Sequence, residues 1–233
     1  MEPALLFDLD GTLVDSARGI AAALSVVSAE RGGGAVGADT VRPLISRGAA
    51  VLVREALGPL ASDGAADLAR FRDVLGALPA DPAAVYPWVR DALAGLAARA
   101  VPMAVVTNKP ERLSVALLGQ LGLLGHFRVV VGGDTLAVGK PDPAPLRHAL
   151  AGLGHPGRAI MVGDSEIDAE AAAAAAMPFV LFGGGYGTAQ CRPHRVTAEF
   201  ADLAQFWLAI ETAKIEQARG FAVKDDAGHE RIG

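Results

Sequence analysis

From Tyr86 onward, short apolar runs alternate with helical segments, and that alternation limits the chain to one kind of architecture. Pro87 opens a helix to Arg99, and Met103 to Val106 is an apolar run ending in Thr107-Asn108-Lys109. A helix from about Pro110 to Leu121 precedes a strand at Arg128–Val131 and a helix over about Pro143–Leu153. Ala159–Val162 reads as a strand ending in Gly163-Asp164, followed by an alanine-rich helix from Ile167 to Ala176. A strand at Phe179–Phe182 and a last helix from about Ala201 to Gln217 complete the series. Short apolar runs bounded by turn residues are buried strands. Strands alternating with helices require a parallel sheet covered on both sides. The expected fold is therefore α/β, a Rossmann-like parallel sheet with helices on both faces.

One stretch breaks the alternation. After a first strand at Ala4–Phe7 come Ala17–Glu30, about Ala49–Leu57 and about Ala65–Leu78, all helical in pattern, with no strand between them. This stretch reads as an inserted all-helical cap over the strand ends. The expected division is a catalytic core at 1–14 and 86–217, a cap at 15–85, and a tail at 218–233 whose mix of glycine and charge predicts poor order.

Chemistry in an open α/β sheet lies just beyond the carboxyl ends of the strands. The first strand delivers Asp8 and Asp10, followed by Gly11. On a strand both side chains would point the same way, and two carboxylates that close repel unless a cation lies between them. This reads as half of a divalent metal site, the alternative being a plain Asp-Gly turn after a strand. A calcium loop is excluded, because counting from Asp8 its required glycine and glutamate positions hold Leu13 and Gly19. Later strand ends carry Thr107 and Asn108, then Asp164 and Asp168, with Lys140 in the proline-stiffened Val138-Gly139-Lys140-Pro141-Asp142-Pro143 between them. Taken singly, Thr107 could cap a helix, Lys140 could be solvated, and Asp164 and Asp168 could favour a helix dipole. Together they set acid, hydroxyl and amine on successive strand ends.

Other motifs fail on context. Gly32-x-Gly34-x-x-Gly37 follows a helical pattern rather than a strand, and Gly139-Lys140 lacks the rest of a P-loop. Gly163-x-Ser165 has Ile167 where a nucleophile elbow needs glycine. His126, His148, His155, His194 and His229 have no metal-ligand spacing, and Cys191 reads as a bystander. A net charge of -5 argues against nucleic acid as a partner. A single cysteine cannot form an internal disulfide, which favours a reducing cytoplasm. The N-terminus has no signal-peptide pattern, and the most apolar stretch, Ala169 to Phe182, carries Glu170 and Pro178, so no membrane partner is expected.

The ordered set FDLDGTLVDS, VVTNK, GKPDP and VGDSEIDAEAA resembles the four motifs of the haloacid dehalogenase superfamily of phosphohydrolases, from about Ala4 to Gly187. Tyr86-Pro87, VVTNKPERL, VVVGGDTLAVGKPDPAPL and the turn near Tyr186 are similar to the phosphoglycolate phosphatase subfamily. The cap segment RPLISRGAAVLVREAL also resembles that subfamily, with Ser46 replacing one glycine of its pattern. The resemblance implies a Mg²⁺-dependent phosphomonoesterase acting on a small molecule, with 2-phosphoglycolate as substrate. It implies Asp8 as nucleophile, Asp10 as acid and base, Thr107 and Asn108 as phosphoryl contacts and Lys140 as charge balance. Mg²⁺ would be held by Asp8, the Asp10 backbone carbonyl and Asp164, with Asp168 in support. Ser46, Arg47 and Gly48 of the cap are expected to meet the substrate carboxylate. Alternatives are a sugar phosphate or pyrophosphate as substrate, or a silent phosphate-binding protein. Monomer and homodimer are both open.

Overall fold

Each strand is apolar without a polar break, and the fold uses both sides of it. β1 (Ala4–Phe7), β2 (Met103–Val106), β4 (Ala159–Gly163) and β5 (Phe179–Phe182) are buried at every position. Successive side chains of a strand point to opposite faces. Leu5, Phe7, Met103, Val105, Ile160 and Val162 therefore enter one apolar cluster, and Ala4, Leu6, Ala104, Val106, Ala159 and Met161 enter another. Side chains from α5 (Val89–Ala98), α6 (Glu111–Gln120) and α9 (Leu203–Ala218) close the first cluster. Those from α7 (Ala144–Gly152) and α8 (Glu166–Ala174) close the second. Burying one Leu, Val or Phe side chain contributes about 1.5–3 kcal/mol, so both faces are needed to hold the sheet.

The structure is a computed structural model that describes residues 2–154, 158–187 and 195–218. Its sheet has six strands in the order β3-β2-β1-β4-β5-β6, all parallel, β3 being Val129–Val131 and β6 Ala198–Phe200. The chain steps outward from β1 through β2 to β3, then returns to β4 beside β1. Ligands of such sheets bind where the order reverses, outside the carboxyl ends.

The connection from β1 to β2 carries α1 (Ala17–Ala29), α2 (Ala38–Ile45), α3 (Ala49–Leu57) and α4 (Gly64–Ala77) before α5. These four build a third apolar cluster of their own, with Leu24, Val27, Leu52, Val53 and Phe71 at its centre. Two elements depart from the sequence reading. α2 contains Pro43, which cannot make the i→i−4 bond, but Val41 and Leu44 are buried in the cluster and offset the loss. β6 is three residues long, yet it pairs with β5 and buries Phe200. No helix among the described residues is long and apolar enough to cross a membrane. The expectation for the tail falls on 218–233, of which Ala218 closes α9 and the remainder lies outside the described residues.

Candidate active site

Three neighbouring strand ends converge at the reversal point. Asp8 follows β1, and its N–H donates to Val162 O at 2.9 Å, so the ladder carries it to the sheet edge. Thr107 follows β2 with its N–H on Val131 O at 2.9 Å. Asp164 follows β4, and Asp168 lies in the first turn of α8. Lys140 comes from the loop between β3 and α7. Asn108 pins that loop at two points, its Oδ1 accepting from Lys140 N and its Nδ2 donating to Lys140 O, both at 2.9 Å.

The charged groups are buried against one another. Lys140 Nζ donates to Asp8 Oδ1 at 2.7 Å and to Asp168 Oδ1 at 2.6 Å. Ser165 caps α8 in a reciprocal capping box, and its hydroxyl donates to Asp168 Oδ2 at 2.6 Å. Asp164 accepts from Thr12 Oγ1 at 3.0 Å and from the N–H groups of Tyr186 and Gly187 at 2.7 and 3.2 Å. Two glycines let the chain pass this carboxylate. Gly11 has φ +93°, and a Cβ there would lie 2.6 Å from Asp164 Oδ2; a Cβ on Gly185 would lie 2.2 Å from Asp164 Cβ.

Burial pushes the Asp8 carboxyl up to about 8, against Lys140 and helped by Asp168 and Asp164. Burial, then Asp168, raises Asp164 to about 6. Burial also works against the charge on Lys140, but Asp168 and Asp8 outweigh it and hold the ammonium above its usual range. Carboxylate oxygens of Asp8, Asp164 and Asp168 lie within 4.8 Å of one another. Three carboxylates against one ammonium leave a buried excess of negative charge when all are ionised. That excess, offered through hard oxygen donors, fits a divalent cation.

Asp10 corrects part of the sequence reading. β1 ends at Phe7, so Asp8 and Asp10 do not share a pleat, and the Asp10 carboxylate turns to Lys109 Nζ, 3.2 Å from each oxygen. It stands outside the carboxylate cluster, although it lines the same pocket. Asn108 also lines that pocket, with its amide committed to Lys140. Ser46 and Gly48 line it from the cap side, whereas Arg47 does not. The Arg47 side chain is 51% exposed and pairs with Glu55 at 2.8 Å.

The pocket has a volume of about 110 Å³ and lies, partly open to solvent, between the sheet edge and helices α1, α3 and α4. Sequence reasoning missed three contributors. Thr12 and Lys109 each sit within or beside a recognised motif, which was a usable signal. Arg72 is one of two arginines on α4, Arg70 being paired with Glu30, and it belongs to no motif that the sequence singles out. His155, His194, His229 and Cys191 lie outside the described residues.

Residues 3–176 match the haloacid dehalogenase-like hydrolase family. The chain is 40% identical over 222 residues to a phosphoglycolate phosphatase of Rhodospirillum rubrum, covering 90% of this chain and 92% of that one. It is 41% identical over 207 residues to a phosphoglycolate phosphatase of Yersinia pseudotuberculosis, covering 84% and 89%. Among solved structures it is similar to a predicted phosphoglycolate phosphatase from Haemophilus somnus, with 27% identity, TM-score 0.75, and 89% and 97% of the two chains covered.

Proposed function

The chain belongs to the haloacid dehalogenase-like hydrolases, and we propose that it is a Mg²⁺-dependent phosphatase of the cytoplasm that converts 2-phosphoglycolate to glycolate and phosphate. One observation carries this reading. Asp8, Thr107, Lys140, Asp164 and Asp168 line a single pocket at the point where the strand order reverses. Relatives bearing the phosphoglycolate phosphatase name match along most of the chain. A pocket of about 110 Å³ suits a very small phosphoester, since drug-sized ligands occupy roughly 300–1,000 Å³.

In this reading residues 15–85 are a cap, and 1–14 with 86–217 are the catalytic core. Asp8 Oδ attacks phosphorus and the bond to the leaving oxygen breaks, which leaves an aspartyl-phosphate. Asp10 gives its proton to the departing alkoxide, having turned away from Lys109. It then takes a proton from the water that attacks phosphorus, and the Asp8 carboxylate is released. Thr107 donates a hydrogen bond to the phosphoryl group. Lys140 offsets the repulsion between the Asp8 carboxylate and the phosphate dianion, since positioning and charge dominate phosphoryl transfer. Mg²⁺, held by Asp8, the Asp10 carbonyl and Asp164 with Asp168 in support, would add the remaining positive charge.

Phosphate release from a panel of small phosphoesters, with Mg²⁺ and with a chelator, tests the reading. 2-Phosphoglycolate should give the highest kcat/KM, ahead of sugar phosphates and pyrophosphate, and the chelator should abolish turnover. No release from any panel member, or full activity in the chelator, would refute it.

A further inference from the structure

Arg72, Lys109 and Lys140 are the cations among the described residues that line the pocket. Two are committed, Lys109 to Asp10 and Lys140 to Asp8 and Asp168. Arg72 makes no ion pair or hydrogen bond with the described residues, and its Nε is buried without a partner. The same pocket is lined from the helical side by the apolar Ile20, Ile45, Leu52, Phe71 and Leu75. A buried donor left unsatisfied costs about 1–3 kcal/mol, and native structures rarely leave one so. The pocket wall therefore holds a half-buried arginine whose Nε has no acceptor among the described residues.

The ligand that fits must satisfy two ends. Asp8, Thr107 and Lys140 take the phosphoryl group at the sheet edge. Arg72 sits on α4, on the helical side of the same pocket. A planar fork of N–H donors favours a planar anion that accepts two parallel hydrogen bonds. A carboxylate one carbon from the phosphoester oxygen is such an anion. We propose that Arg72 is the specificity-determining residue, pairing with a carboxylate on the leaving group of the substrate. This rests on the phosphatase reading above and gives Arg72 the part that the sequence assigned to Arg47.

The test compares 2-phosphoglycolate with 2-hydroxyethyl phosphate, which keeps the skeleton but replaces the carboxylate with an uncharged carbinol. Wild type, Arg72→Gln, Arg72→Lys and Arg47→Ala are assayed with Mg²⁺, after thermal melting confirms that each variant is folded. Arg72→Gln should lower kcat/KM for 2-phosphoglycolate about ten- to hundredfold, with 2-hydroxyethyl phosphate changed by no more than about twofold. Arg72→Lys should recover part of the loss, since it restores charge without the fork. Arg47→Ala should match wild type on both. Equal losses for Arg72→Gln on the two substrates, or no loss on either, would overturn the inference. So would a wild type that hydrolyses 2-hydroxyethyl phosphate but not 2-phosphoglycolate, while leaving the phosphatase intact. A wild type that hydrolyses neither would overturn the phosphatase reading and the inference with it.

Discussion

Asp8 and Lys140 show how the site trades stability for reactivity. Asp8 is one of three carboxylates crowded into a buried cluster, and its raised pKa records the cost of ionising it there. Asp8→Asn removes that crowding while Lys140 keeps its bond to Asp168. In chelator its melting temperature should be no lower than that of wild type, yet phosphate release should fall by several orders of magnitude. A variant retaining a tenth of the wild-type rate would rule out Asp8 as nucleophile. Lys140→Ala acts in the opposite direction on stability. It leaves Asp8 and Asp168 buried without their cation, and breaking a buried pair from one side costs about 3–5 kcal/mol. Denaturant melts should show that loss in chelator and a partial recovery with Mg²⁺, because a ligand that binds only the native state adds stability. At this scale the sequence revealed the strand-end carboxylates, Thr107 and Lys140, since each belongs to a short ordered motif. It did not single out Arg72, whose Nε stands without a partner only once the chain is folded.

Among the elements, the helical layer has its own electrostatic fastening. Asp67, near the start of α4, accepts from Arg31 just beyond α1 and from the N–H and hydroxyl of Ser62. Arg31, then the Ser62 N–H, holds the Asp67 carboxyl down at about 2. A depressed carboxyl contributes stability that is present above its unfolded value of about 3.9 and is lost as pH falls through the folded value. Asp67→Asn should therefore destabilise the protein at pH 7, and the gap to wild type should close between about pH 4 and pH 2. Melting both proteins across that range checks this; a gap independent of pH would mean that Asp67 acts through packing alone. The strands β1, β2, β4 and β5 were legible because each is an apolar run ended by polar residues. α2 was hidden by Pro43 and the glycines before it, and β6 was too short to carry a pattern of its own. Tertiary burial, which leaves no local signal, decided both.

In the whole molecule the sheet and the helical layer keep separate apolar clusters and meet around the pocket. One residue joins the two to the carboxylate site. The Tyr186 hydroxyl donates to Asp15 at 2.6 Å, Asp15 accepts from Arg42 of α2 at 2.9 Å, and the Tyr186 N–H holds Asp164. The helical layer is thus tied to the groups that would hold the cation. That arrangement suits a site in which the sheet edge supplies the phosphoryl chemistry and the helices select the leaving group. Its central claim is that phosphorus passes through the Asp8 carboxylate. The most direct measurement is to quench the enzyme with acid during turnover of 2-phosphoglycolate, reduce acyl phosphates with borohydride, and map the product by peptide mass spectrometry. The account predicts conversion of Asp8 to homoserine, dependent on substrate and on Mg²⁺. Reduction at a different carboxylate, or steady turnover with Asp8 always recovered unmodified, would contradict it.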